Sequence, residues 1–173
     1  ENALILDVRH ENDFVKEHIP NSIFIGIHGG FAPWVGALIM DVKQPLLLVI
    51  PEGKEEETIT RLSRVGFDNV LGYLENGLEA WKKANFEVDT MHSIAPDEFK
   101  NQLKSDSVVI DARKPGEFNN ERLECAINLP LDFINQNFNE VPSGKDFFLH
   151  RAGGYRSVIL GSILKSRGIH NFI

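Results

Sequence analysis

The chain has 173 residues, which is enough for one large domain or two small ones. Its composition, with 42% hydrophobic and 25% charged residues, is ordinary for a soluble globular protein. The formal net charge is −7, and no run of like charges is long enough to indicate a nucleic-acid arm or a membrane-binding patch. We therefore expect neither a nucleic-acid nor a membrane partner.

The ends of the chain and its cysteine content bear on location. The longest apolar stretches, such as residues 45–51, have the length of strands, and no basic and apolar leader precedes them. The single cysteine, Cys125, excludes an internal disulfide and fits a reducing compartment, so we expect a cytoplasmic protein. The chain begins at Glu1, without Met, and stops at Ile173, which we interpret as a segment of a longer protein.

A motif repeats along the chain. Residues 4–9 and 108–113 are both apolar runs that end in Asp-x-Arg. Four positions recur at one spacing of 104 residues: Asp7, Arg9, Phe14 and Ile19 in the first copy, and Asp111, Arg113, Phe118 and Leu123 in the second. Because several spaced positions recur together, the chain is predicted to contain two copies of one domain.

Each copy continues with a strand-length apolar run, a loop that contains glycine, and a segment of helical period. The two runs are residues 46–50 and 147–151. Gly66 and Gly168 are predicted to cap the ends of the helices, and a short apolar strand follows each.

Short apolar strands that alternate with helices predict parallel sheets. We therefore expect an α/β fold of two small doubly wound domains, each a parallel sheet with helices on both faces. The boundary is predicted near residues 85–93, which gives domains of residues 1–90 and 91–173.

The most specific stretch is the loop predicted between a strand and a helix at residues 150–157. Its glycines, Gly153 and Gly154, allow positive φ angles that turn backbone N–H groups inward, and the start of the helix adds its positive dipole end. Such a nest binds an anion or stabilises a thiolate. The predicted anion-binding loop comprises Ala152, Gly153, Gly154, Tyr155, Arg156 and Ser157.

This loop resembles the active-site loop of the rhodanese family, whose pattern is Cys-x-x-Gly-x-Arg-Ser. Gly154, Arg156 and Ser157 fall on the Gly, Arg and Ser of that pattern, and Arg151 occupies the position of its Cys. The preceding motif, with Asp111 and Arg113 as supporting residues, Glu117 and Phe118, and residues 126–130, also resembles family positions.

The resemblance implies sulfur transfer through a cysteine persulfide, which a permanently cationic guanidinium cannot carry. We therefore predict that the second domain is a rhodanese-type sulfurtransferase module without sulfurtransferase activity. Arg151 could instead lie across the nest, pair with Asp111 or Glu117, or bind the anion itself. Two explanations of Arg151 remain open: the site is naturally inactive, or the cysteine of an active protein was replaced by arginine through engineering. Thiosulfate and persulfides are the implied ligands, and no cofactor is expected.

The first copy departs further from the family pattern. Ile50 stands at its Cys position and Glu55 at its Arg position. Three consecutive carboxylates, Glu55 to Glu57, suit a helix start but repel an anionic substrate. We interpret this domain as structural, with a degenerate loop.

The other candidate residues are given structural roles. Cys125 is predicted to be a small buried residue outside the loop. His150 is predicted to be a packed strand residue, and the Asp7–Arg9 and Asp111–Arg113 pairs are predicted to be structural partners at strand ends. No two histidines lie at ligand spacing on one element, so no metal site is expected.

A narrower resemblance concerns residues 29–38 and 69–74, which are similar to the rhodanese region fused behind metallo-β-lactamase-fold proteins, including persulfide dioxygenases. It implies a fused or partner metallo-β-lactamase-fold domain that would carry any metal-dependent hydrolase or dioxygenase chemistry. By that comparison, the first domain lacks its opening strand and helix, and the second lacks the elements expected after Ile173. Residues 31–38 are predicted either to pack on a partner surface or to form a helix that covers their own sheet.

Two functional hypotheses remain. The chain is the sulfurtransferase region of a protein that metabolises sulfur or persulfides, or it is a non-catalytic module that binds anions or docks to the metal-binding domain. Arg151 favours the second hypothesis for this chain, and the intact glycine loop favours the first for its parent.

Overall fold

The computed structural model describes residues 2–142, 144–150 and 154–173. The chain divides into two compact units, Glu1–Thr90 and Met91–Ile173. Each unit contains a parallel sheet flanked by helices, so the α/β fold predicted from alternating apolar strands and helices is confirmed.

The first unit contains a four-stranded parallel sheet. Its strands are β1 (Leu4–Asp7), β2 (Ile23–Phe24), β3 (Leu46–Val49) and β4 (Val70–Tyr73). Its helices are α1 (Glu11–Lys16), α2 (Phe31–Leu38), α3 (Glu55–Ser63) and α4 (Gly77–Lys83). The strand order is β2-β1-β3-β4, which places β1 and β3 in the centre, where Leu6, Leu46, Leu48 and Val49 are buried.

Helix α2 decides between the two predictions for residues 31–38. Phe31, Val35 and Leu38, at the spacing of one helical face, are all buried, and α2 packs against α3 of the same unit. These residues therefore form a helix that covers the core of their own unit.

The second unit contains a three-stranded parallel sheet. Its strands are β5 (Val108–Asp111), β6 (Ala126–Asn128) and β7 (Phe147–His150), in the order β6-β5-β7. Its helices are α5 (Pro96–Gln102), α6 (Pro115–Asn120) and α7 (Tyr155–Ser166), and two short 3₁₀ turns span Leu131–Phe133 and Phe138–Glu140. The short strand predicted near the end of the chain is present as a parallel bridge between Phe172 and Phe147.

The two units share a strand register that places their loops at equivalent points. Asp7 lies opposite Val49, the last residue of β3, and Asp111 lies opposite His150, the last residue of β7. The loops after β3 and β7 therefore leave their sheets at the same position relative to the Asp-x-Arg motif. The repeat found in the sequence therefore corresponds to the same pairing of strands in both sheets.

Cys125 is exposed, so the prediction that it is buried was wrong. It lies in the turn that precedes β6, where the Ala126 N–H donates to the Leu123 carbonyl oxygen at 3.0 Å. A residue in that turn comes before the sheet begins and therefore does not contribute its side chain to the core.

Among the residues that the structure describes, no helix is both long and apolar enough to cross a membrane.

Gly161 generates a prediction about packing. A Cβ atom at this position in α7 would lie 2.9 Å from Met91 Sδ and 3.1 Å from Phe172 Cε2. We expect Gly161→Val to lower the free energy of unfolding by about 2 kcal/mol, because the added carbon atoms overpack a filled space. Urea denaturation measures the loss.

Gly36→Val is the matched control, since Gly36 also lies inside a helix but a Cβ atom there meets nothing within 4 Å. We expect it to change stability by less than about 0.5 kcal/mol. Equal losses from both substitutions would contradict the packing argument.

Candidate functional site

The candidate site lies at the carboxyl edge of the second sheet, where parallel α/β folds bind ligands. Arg113 follows β5 at this edge, and the loop to α7 follows β7. Arg151, Ala152 and Gly153 lie outside the described residues. The geometry of the site is therefore built from Gly154 onward and from the neighbouring strand ends.

A buried carboxylate anchors this edge. Asp111 is fully buried and accepts hydrogen bonds from Arg113 through its backbone N–H at 2.9 Å, Nε at 3.0 Å and Nη2 at 2.7 Å. Arg113 Nη2 also donates to the Glu121 carbonyl oxygen at 2.6 Å. The hydrogen bond to the Asp111 carboxylate raises the pKa of Arg113 above its usual value.

Asn128, which the sequence marked only as part of the family-like residues 126–130, completes the anchor. Its side-chain amide donates to the carbonyl oxygens of Asp111 and Arg113 at 3.0 and 2.8 Å. It thereby fixes the backbone that leads from β5 into α6. Its place at the end of β6, opposite Asp111 of β5, is the feature that could have indicated this role.

The first unit repeats the carboxylate pair. Arg9 donates to the buried Asp7 through its backbone N–H and Nε, each at 3.0 Å, and through Nη2 at 2.7 Å. Burial raises the pKa of Asp7 above its usual value, and the Arg9 hydrogen bonds oppose that rise. The structural pairs predicted at the strand ends are thus present in both copies. Because the copy with the degenerate loop keeps its pair, the pair belongs to the scaffold.

Gly154 opens helix α7 with a backbone conformation that favours glycine. Its φ is +74°, and its carbonyl oxygen accepts from the Val158 N–H at 3.0 Å and the Ser157 hydroxyl at 2.7 Å. Gly53 occupies the equivalent point of the first unit with φ +76°. The glycine of the predicted loop is therefore required by the turn into the helix. The Ser157 hydroxyl proton serves that same turn.

Arg156 lies in the first turn of α7 and forms an ion pair across the edge of the sheet. Its Nη1 lies 2.7 Å from Glu117 Oε2, and Glu117 belongs to α6. The backbone N–H of Lys114 also donates to Glu117 Oε2 at 3.2 Å, which holds the carboxylate in place. From the sequence, Glu117 was only a family-like position and a possible partner of Arg151. Its pairing with Arg156 was not predicted.

His150 lies next to this cluster at the end of β7. Its Nδ1 is buried, has no hydrogen-bond partner among the described residues, and lies 3.9 Å from Asp111 Oδ2. Its ring lies near that of Phe99, with centroids 6.0 Å apart, and the side chain is 33% exposed. His150 is therefore a strand residue packed on one side only.

The corresponding edge of the first unit has a different chemistry. Ile50 is buried, and Glu55, which matches Arg156 by the loop pattern, is the first residue of α3. Glu57 pairs with Lys54 at 2.9 Å and with Arg61 at 3.3 Å, and its pKa is lowered, chiefly by the hydrogen bond from Lys54. Lys54 and Arg61, beside this loop, thus pair with the same carboxylate, Glu57.

Among the described residues, no three histidine, cysteine, aspartate or glutamate side chains are placed to hold a metal ion.

Comparison with known proteins gives one family. The sequence profile of the rhodanese-like domain matches the chain twice, over residues 1–84 and 95–173. No curated protein sequence matches the chain.

Solved structures resemble the chain at low identity. A rhodanese-like domain from Anabaena sp. has a TM-score of 0.49 at 20% identity, over 54% of this chain and 98% of its own. Thiosulfate sulfurtransferase from Pseudomonas aeruginosa has a TM-score of 0.44 at 20% identity, over 90% of this chain and 34% of its own. The 3-mercaptopyruvate sulfotransferase SseA from Escherichia coli has a TM-score of 0.41 at 16% identity, over 99% of this chain and 90% of its own.

The buried pair generates a prediction about stability. Arg113→Met should lower the free energy of unfolding by about 3 kcal/mol, because Asp111 would be left as a buried charge without its partner. Hydrogen exchange measured by mass spectrometry should place the loss in β5 and its neighbours.

Arg122→Met is the matched control, since Arg122 is an exposed arginine of the same unit. Adding Asp111→Asn to Arg113→Met should recover part of the loss, since the buried charge is then removed. A double variant no more stable than Arg113→Met would contradict the charge argument.

Proposed function

The chain belongs to the rhodanese-like domain family, and on that premise we propose that its second unit binds a small sulfur-containing anion at the loop after β7. Thiosulfate and persulfides are the ligand class. The observation that carries the proposal is the arrangement of Gly154 and Arg156. A glycine with positive φ leads directly into the first turn of α7, where a guanidinium lies at the carboxyl edge of the sheet.

The physical basis of binding is electrostatic. The first backbone N–H groups of a helix have no partners within it and carry the positive end of the helix dipole. Arg156 adds a full positive charge and can donate more than one hydrogen bond to an oxyanion. The proposed site comprises Arg151, Ala152, Gly153, Gly154, Tyr155, Arg156 and Ser157, with Asp111 and Arg113 as the scaffold beneath it.

The second unit is proposed to bind without transferring sulfur. Arg151 directly follows β7, at the family's cysteine position, and a guanidinium cannot form a persulfide. The one cysteine of the chain, Cys125, precedes β6, whereas the loop follows β7. Since β5, β6 and β7 are parallel, Cys125 lies toward the opposite edge of the sheet and cannot replace the missing thiol.

The first unit is proposed to be structural, because Ile50 and Glu55 provide neither a nucleophile nor a cation at its loop. A fused metallo-β-lactamase-fold domain, for which this region would be a non-catalytic support, rests on the sequence of residues 29–38 and 69–74 alone. That partner, its persulfide chemistry, the domain bounds and a cytoplasmic location stay predictions.

The absence of sulfur transfer can be tested directly. We expect the purified chain to form no thiocyanate from thiosulfate and cyanide above the uncatalysed rate, because it lacks the thiol that would carry the sulfur. Arg151→Cys restores the family's residue and is the positive control. Turnover by the unsubstituted chain, measured by the colour of the ferric thiocyanate complex, would refute the proposal.

Anion binding can be tested with Arg156→Ala. We expect thiosulfate, titrated by calorimetry, to bind about tenfold more weakly to this variant, the factor expected for the loss of one charge-assisted hydrogen bond. Arg122→Ala removes an exposed arginine of the same unit and should bind as the unsubstituted chain does. If both variants lose affinity equally, the effect is one of net charge and the assigned site is wrong.

A further inference from the structure

We infer that Glu117 competes with the bound anion for Arg156 and thereby sets the affinity and charge selectivity of the site. The inference rests on the proposed function, because it concerns the ligand of the same loop. It assigns to Glu117 a role in specificity that neither the family pattern nor the loop sequence contains.

The geometry of the Glu117–Arg156 pair supports competition. The two residues are 39 positions apart in the chain and approach from different helices, α6 and α7. Glu117 Oε2 lies 2.7 Å from Arg156 Nη1, within hydrogen-bonding distance, so the carboxylate engages a donor of Arg156 that a ligand oxyanion would also use. The Glu117 carboxylate and an oxyanion of the ligand therefore compete for Arg156.

The position of Glu117 is imposed by the start of α6. The backbone N–H of Lys114 donates to the Glu117 carboxylate at 3.2 Å, and Pro115 begins the helix. Glu117 is the third residue of the helix, where a carboxylate stabilises the helix start by such a bond. The carboxylate is therefore held near Arg156 by an interaction that does not depend on Arg156.

The pair is also easy to displace. Glu117 is 43% exposed and Arg156 is 20% exposed, and ion pairs in contact with water contribute little to stability. A ligand with two negative charges, bound at the same loop, gains Arg156 but meets the charge of Glu117. The repulsion acts less on a ligand with one charge. Glu117 therefore lowers affinity for all anions and discriminates against dianions.

The first unit provides the internal comparison. Asp13 stands at the position of Glu117 by the spacing of the repeat, whereas Glu55 stands at the position of Arg156. The acidic side chain on the first helix after the central strand is thus present in both copies. At the position of Arg156, a cation is present only in the second copy. Asp13→Asn therefore removes the same charge where no anion is expected to bind.

The experiment measures dissociation constants for thiosulfate, a dianion, and thiocyanate, a monoanion, with the full chain and with Glu117→Gln. We expect Glu117→Gln to bind thiosulfate about fivefold more tightly, the factor that corresponds to about 1 kcal/mol for an exposed ion pair. The gain for thiocyanate should be smaller. Asp13→Asn should leave both constants unchanged.

Two further variants separate competition from a structural role. Glu117→Asp keeps the charge and should gain only a small part of the affinity that Glu117→Gln gains, and Glu117→Ala should gain affinity as Glu117→Gln does. Suppose that the unsubstituted chain binds thiosulfate and that Glu117→Gln and Glu117→Ala bind it no more tightly. The inference is then overturned and the proposed function stands. The same holds if thiosulfate and thiocyanate gain equally, because charge selectivity is then absent.

The two proposals fail in different ways. If no variant binds either anion, both proposals are overturned, since removing the charge of Glu117 has not produced a site. If only Glu117→Gln and Glu117→Ala bind, the inference is supported, and the proposed function is overturned for the unsubstituted chain.

Discussion

Each unit depends on a buried carboxylate that is neutralised by an arginine two residues later. Asp7 and Asp111 end the strands that have neighbours on both sides in their sheets, and both are fully buried. A carboxylate in that position without a partner would cost several kcal/mol. The arginine that pairs with it also donates to the carbonyl oxygen of the residue that ends the following helix, Glu17 in one unit and Glu121 in the other. One guanidinium thus neutralises the carboxylate at the end of the strand and holds the backbone at the end of the following helix.

A second contact recurs in both units at the same repeat positions but with different side chains. In the first unit His18 stacks on Phe14 with ring centroids 4.0 Å apart, and in the second the Arg122 guanidinium lies over Phe118 at 5.2 Å. His18 is buried and exchanges backbone hydrogen bonds of 2.8 Å with Asp89. The aromatic ring of the helix after the central strand therefore supports a flat cationic or imidazole side chain in both copies.

The two loops differ by charge although they follow strands of the same register. Gly53 and Gly154 have nearly the same φ, and the loops follow strands of the same register. The difference is that the first turn of α3 begins with carboxylates, whereas the first turn of α7 contains Arg156. An anion at the first loop would meet like charges, and at the second it would meet a cation that Glu117 already holds. The proposed loss of binding in the first copy thus needs no change of fold.

Much of the fold was predictable because its signals are local. Apolar runs of strand length, glycines at helix ends, and the recurrence of Asp-x-Arg predicted two parallel α/β units. The prediction for Cys125 was wrong because an apolar side chain was taken to lie in the core, although its residue belongs to a turn before β6. For residues 31–38 the sequence left two alternatives, since an apolar helical face does not say which surface covers it.

By itself the sequence determined the repeat, the glycine turn and the identity of the residue at each loop position, because these depend on the order of residues. It therefore determined that an arginine, Arg151, stands at the position that the resemblance assigns to the family's cysteine. Only the tertiary structure decided that Glu117 holds Arg156 and that His150 Nδ1 lies beside Asp111 without a described partner. The physical reason is that parallel crossovers bring helix starts and strand ends that are distant in the chain to one edge of the sheet, where long-range charge pairs form.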